Sequence, residues 1–93
     1  MLDAYKELVP VLYVENGVKI ATYAAAAHVM CFRVHWHDRI ELLRILSGQL
    51  DIYLNDEHIT VVPGQTVIIM PHMIHCGFAG EEGVLYTHLN HTY

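Results

Sequence analysis

The sequence predicts an all-β domain, and three observations carry that expectation. Short runs rich in Val, Ile, Leu and Tyr recur along the chain, several with the period-two polarity of a half-buried strand. Gly, Pro and Asn separate those runs at turn-like positions. The best helix-forming stretch, Ala24 to Ala27, is too short to nucleate a lasting helix, and Thr22, Tyr23 and Val29 around it favour extended backbone, so it is read as irregular strand.

Each element follows from its local chemistry. Val11 to Val14 form a first strand, and Asn16-Gly17, tolerant of positive φ, suits a hairpin turn into the run from Val18. Cys31 to His37 alternate strictly. Arg39 to Leu46 are apolar at both parities except for Glu41 and Arg44, the pattern of a strand covered on both faces. Ser47-Gly48 is read as a turn, QLDIYLN as the next strand, Asn55-Asp56 as a second turn, and EHITVV as a further alternating strand, together a meander. Pro63-Gly64-Gln65 makes a tight turn into Thr66 to Met70 and then Pro71, because Pro fixes φ and Gly takes the left-handed position. A turn at Glu82-Gly83 precedes the last strand, VLYTHLN.

At 93 residues the chain is one domain's worth, which excludes two packed domains. Residues 1–93 are therefore one unit, with a barrel-like part over about 30–90 and N-terminal strands in 1–29. A fold of this size hides roughly two-thirds of its unfolded surface. With 54% hydrophobic residues, apolar surface is left over and a homodimer is expected. The formal charge of -5 repels phosphate backbones, so no direct nucleic-acid contact by this domain is expected. The opening MLDAYKELVP lacks a basic segment followed by an apolar core, and no apolar run reaches membrane-spanning length. A soluble cytoplasmic protein without membrane contact follows, with Cys31 and Cys76 as reduced, buried thiols.

Eight histidines are far more than a chain this short usually carries, and their positions matter more than their number. His35 and His37 stand two apart on an alternating strand, so both imidazoles leave one face. Glu41 shares that parity if the strand resumes after Asp38, and it is the sole acid in a doubly apolar run. A lone carboxylate there is costly unless something positive binds it. His75 follows the TVIIM strand and the bend PHMI. Three imidazoles and a carboxylate suit a divalent transition metal with one or two positions open, and Zn, Ni, Fe and Mn all accept such a set. The plainer alternatives stand beside this one. A single histidine near an apolar strand is more often a satisfied core or edge residue than a ligand, and a buried Glu41 can pair with Arg33 or Arg44. The joint spacing favours the metal.

The segment HWHDRIELLRILSG, His35 to Gly48, resembles the first cupin motif, H-x-H, three residues, E, six residues, G. Gly64 to His75 resembles the second motif in length, with its P-x-G-x-x-H replaced by Pro71-His72-Met73-Ile74-His75 and no Gly before the His. With VVPGQTVIIMPHMIHCG, this variant is similar to the N-terminal sensor half of AraC-family transcription regulators. The resemblance covers about Phe32 to Asn90. It implies a double-stranded β-helix, a small jelly-roll barrel, that brings His75 opposite His35, His37 and Glu41 as metal ligands. It also implies dimerisation and an effector in the barrel.

Strand parity adds detail. If His35 points inward, so do Arg33 and Cys31, while Phe32, Val34 and Trp36 point outward against another layer. Arg33 is then placed either to hold a carboxylate or sugar hydroxyls of an effector or to pair with Glu41. Tyr86 and His88 share one parity and line the same lumen as ligand-binding candidates; His28, His58, His72 and His91 read as solvated or satisfied.

Three functions compete on these grounds. The first is the effector-sensing and dimerisation domain of an AraC-type regulator, with DNA binding supplied elsewhere. The second is a stand-alone metal-dependent cupin enzyme, an isomerase, decarboxylase or dioxygenase acting on a small acid or sugar. The third is a structural partner module. No general acid or base stands out beyond Tyr86 and His88, and the sensor is favoured.

Overall fold

The computed structural model describes residues 5–15 and 18–91. Among the described residues there are seven strands: β1 (Tyr5–Glu15), β2 (Val18–Ala25), β3 (Met30–His35), β4 (Ile40–Leu54), β5 (Glu57–Val61), β6 (Thr66–Ile69) and β7 (His75–His91). All pairings are antiparallel, in the order β1-β2-β7-β4-β5, with β3 joined to β7 and β6 to β4. Among the described residues there is no helix, as the all-β reading requires, and none long and apolar enough to cross a membrane. Ala24 and Ala25 belong to β2, and the chain turns at Ala27 and His28. The predicted Asn16-Gly17 turn lies outside the described residues, although Glu15 faces Val18 across β1 and β2.

Two predicted turns are not turns. Ser47-Gly48 lies inside β4 and Glu82-Gly83 inside β7, and the two strands stay paired on both sides of them with register shifts. The cause is the same left-handed backbone that suggested a turn, with φ 73° at Gly48 and 79° at Gly83. Used within a paired strand, it makes a β-bulge that bends the strand without ending it. Only glycine fits at Gly48, because a Cβ there would collide with the Gly83 carbonyl. Two long bent strands therefore serve both halves of the barrel. The first part of β4 pairs with β6 and its second part with β5, while β7 pairs first with β3 and then with β2.

The Pro63-Gly64 turn holds, with Gly64 at φ 87° and Gln65 N–H donating to Val62 O at 3.0 Å. That is a type II arrangement, Pro at the first central position and Gly at the second. Asn55, at φ 54°, turns β4 into β5. The core is the inward row of these strands: Leu43, Ile45, Leu50, Ile52, Val61, Ile69, Ala79, Val84 and Tyr86.

Candidate metal centre

Four loops and strand ends bring the polar cluster to one point. His35 closes β3 directly across from His75, which opens β7. Glu41 enters from β4, and His37 from the connection between β3 and β4. Main-chain hydrogen bonds fix the two connecting loops: His72 N–H donates to His37 O at 2.7 Å, and Asn55 N–H to Ile74 O at 2.6 Å. The Asn55 side chain answers by accepting from Ile74 N–H at 3.2 Å. The peptide before His75 is thus clamped to the β4–β5 turn.

His72 explains how the second motif works without its glycine. It occupies the position three residues before His75, where the motif has Gly, and it adopts φ 65°. Met73 N–H donates to Met70 O at 3.2 Å, so Pro71 and His72 are the centre of a turn that needs a left-handed residue. Histidine is one of the few side chains that take this conformation at modest cost.

One ligand atom from each of His35, His37, Glu41 and His75 lies within 4.8 Å of the others, an arrangement able to hold a metal ion. The rings crowd together, with centroids 4.2 Å apart for His35 and His75 and 5.1 Å for His37 and His75. His75 is 1% exposed and Glu41 6%. Nδ1 of His75 lies 2.7 Å from Met73 O, and Nδ1 of His35 contacts Arg33 O. A carbonyl only accepts, so the proton of each neutral ring is assigned to Nδ1 and the Nε2 lone pair is left for the cluster. His37 is held less firmly, by Arg39 N–H at 3.4 Å from its Nδ1. The fit to a metal rests on orphaned atoms. Nε2 of His37, His75 and His88 are buried without an aligned hydrogen-bond partner, which water or a protein group normally supplies, and of these His37 and His75 belong to the converging set.

Glu41 gathers the cluster's charge. Its Oε1 is 2.6 Å from His37 Nε2, and its Oε2 is 3.2 Å from His88 Nε2 and 3.9 Å from His75 Nε2. Burial is the largest single influence on its ionisation and opposes it. The His88 contact and the attraction of His88, His37 and His75 together outweigh burial and hold the carboxyl below its usual 4.5. For His75, burial dominates and lowers the pKa from 6.5 despite the Met73 carbonyl. The alternative arginine partners are elsewhere: Arg33 is exposed, and the exposed Arg44 donates to Thr66 Oγ1 at 3.3 Å.

Beside the cluster lies a cavity of about 260 Å³ lined by Tyr23, Cys31, Phe32, His35, Glu41, Leu43, Tyr86 and His88. Tyr86 and His88 stand two apart on β7, and Tyr23 is the cross-strand partner of Tyr86. Arg33 is a correction: expected inward, it is exposed and outside this lining. Phe32, expected outward, packs inward against the core, its ring over Gly77, where any Cβ would collide with it. The physical reason is a register shift between Phe32 and His35 that breaks the strict alternation. Val34 and Trp36 do point outward, but to solvent, at 68% and 61% exposure. Cys31 and Cys76 are free and half-buried, not buried, and burial pushes the Cys31 thiol up to about 11. His28, His58 and His72 are exposed, and the side chain of His91 lies outside the described residues.

Sequence reasoning missed Tyr23, Phe32 and Asn90. Asn90 faces Glu41 across β4 and β7 and is buried with Oδ1 unpartnered. Its parity with Tyr86 and His88 was the available signal.

The cupin domain family matches residues 27–88. The chain belongs to the cupins. No curated protein matches it. Among solved structures, the cupin domain of Cnp3 from Schizosaccharomyces pombe is 16% identical, with TM-score 0.85 over 99% of this chain and 67% of that one. The cupin domain of an XRE-family transcriptional regulator from Enterobacter cloacae is 20% identical, with TM-score 0.76 over 96% and 95%. A structure of DMSP lyases matches at 20% identity and TM-score 0.70, over 81% of this chain and 38% of that one. At these identities the likeness establishes the cupin fold, and the fold carries both regulators and enzymes.

Proposed function

We propose that this cupin domain binds a divalent transition metal through His35, His37, Glu41 and His75, takes a small-molecule effector into the adjoining lumen, and serves as the sensing and dimerisation half of an AraC-type transcription regulator. The carrying observation is the pair of buried, unpartnered Nε2 atoms of His37 and His75 beside a cavity walled by Tyr23, Phe32, Leu43 and Tyr86. Held by His35, His37, Glu41 and His75, such an ion would supply Lewis-acid chemistry toward an oxygen donor of the ligand. The chain's own contribution is shape and contact. The lumen, at about 260 Å³, lies just under the roughly 300–1,000 Å³ of drug-sized sites, so the effector is small. Tyr86 and His88 line it and are the candidate effector contacts.

The sensor role is supported by the form of the second motif and by the charge of -5, which leaves DNA contact to another part of a regulator. A regulator's cupin domain is also among the structural neighbours. Free cysteines accord with a cytoplasmic setting. Self-association is assigned to the outer face of β2, β7, β4 and β6, where Ile20, Leu42, Leu89 and Ile68 meet solvent around Thr66 and Thr87. An enzyme is the second reading, favoured by a ligand set that leaves coordination positions open and by lyases among the neighbours.

Elemental analysis of protein purified without a histidine tag tests the metal, with about one transition-metal ion per chain expected; a metal-free sample at neutral pH that stays empty on addition of ions refutes it. Ligand screening by thermal shift, followed by product analysis, separates the roles: a sensor returns its ligand unchanged and an enzyme does not.

A further inference from the structure

The two oxygens of Glu41 keep different company. Oε1 faces His37 within the four-residue cluster, while the nearest group to Oε2 is Nε2 of His88, at 3.2 Å. His88 is not among the residues whose donor atoms converge within 4.8 Å, so it stands beside the cluster and not in it. It projects from β7, hydrogen-bonded between β2 and β4, opposite Ala21 and Leu43. Its Nε2 is buried and lies within hydrogen-bond distance of Oε2.

A carboxylate that gives one oxygen to an ion in a buried site needs a donor for the other, or it is free to swing. Among the described residues none of Arg33, Arg39 and Arg44 fills that need, since the ion-pair contacts of Glu41 are all to histidines.

We propose that His88 is the positioning residue of the metal centre: its Nε2–H holds Oε2 of Glu41, so that Oε1 is presented to the ion. This rests on the metal reading above and adds to it a residue outside both cupin motifs.

The test uses the full 93-residue chain, untagged, with Co(II) as the probe. Affinity is read by competition with a chromophoric chelator, and coordination by the visible spectrum of the Co(II) form. H88A is expected to bind Co(II) about 10- to 100-fold more weakly than wild type, the usual cost of losing an outer partner of a ligand. H88Q, which carries an amide N–H near the place of Nε2, is expected to recover most of that loss with a wild-type spectrum. In an E41A background, H88A is expected to change affinity no further. Wild-type affinity in H88A overturns the proposal. So does an H88Q spectrum that has lost a nitrogen donor in the way an H75A spectrum does, since His88 is then a ligand itself. If wild type binds no Co(II), the metal reading fails and takes this one with it, a result visible before any variant is made. Circular dichroism of H88Q and H88A separates misfolding from loss of the contact.

Discussion

Two histidine–carboxylate contacts lie at different depths of this barrel, and they behave as different objects. On the outer face, His58 Nε2 sits 3.1 Å from Asp51 Oδ1, with side chains 48% and 28% exposed. Thr60 also donates to that oxygen at 2.9 Å, and the His58 ring stacks on Tyr53 at 4.7 Å. That carboxylate oxygen has two protein partners, and both side chains of the pair reach solvent. In the lumen, His37 and Glu41 approach to 2.6 Å at 9% and 8% exposure, and the imidazole edge is left without a hydrogen bond. The outer pair is a screened surface contact worth up to about 1 kcal/mol. The inner one is unfinished as a purely protein arrangement, and that incompleteness is what marks it as a candidate binding centre.

The sharpest way to break the contrast is to remove the inner carboxylate. E41A is expected to abolish metal-dependent stabilisation, which for wild type amounts to about 2.7 kcal/mol when free ion exceeds Kd 100-fold. Melting curves with and without added ion check this, and an E41A protein that still gains from the ion contradicts it.

Acidification comes next in size. The folded-state pKa of His75 lies below its ordinary 6.5, so as pH falls through 6.5 the unfolded chain takes up a proton that the folded chain resists. Stability present above 6.5 therefore declines until pH passes the lowered value. Glu41, held below 4.5, adds a second loss as pH falls from 4.5 through its own lowered value. Both signs point the same way, and metal occupancy falls with them because ligands must shed protons. Denaturant titrations from pH 8 to 5 are expected to show this slope in wild type and a shallower one in H75Q.

The outer pair supplies the control. H58A is expected to cost no more than about 1 kcal/mol and to leave ion binding untouched. His72, whose φ of 65° stands where the motif places glycine, gives effects of opposite sign with the residue put there. H72G is expected to stabilise by less than about 1 kcal/mol, and H72V to destabilise by about 1–3 kcal/mol, by urea unfolding.

The convergence of the inner cluster was legible in the sequence because its four candidate ligands lie in two segments whose spacing survives folding. His35 and His37 share a face, Glu41 interrupts an apolar run, and His75 follows a fixed turn. What surrounds them was less legible. Gly48 and Gly83 use the same left-handed backbone in a bulge as in a turn, and the difference lies in the partner strands. Arg33 and Phe32 exchanged faces because a register shift in β3 cancels the alternation from which they were assigned. Tyr23 belongs to no motif and reaches the lumen only through its pairing with Tyr86.

The loops beside His37 and His75 are fastened to each other and to the neighbouring hairpin by peptide groups and by the amide of Asn55, and Trp36 and Ile74 stand exposed over them. Trp36 and Ile74 are therefore open to variation while the scaffold beneath them stays put, whereas His72 is tied to a left-handed backbone and Met73 packs against the core. Selection, or a library built at the same places, can retune what the mouth of the barrel admits without rebuilding the centre underneath.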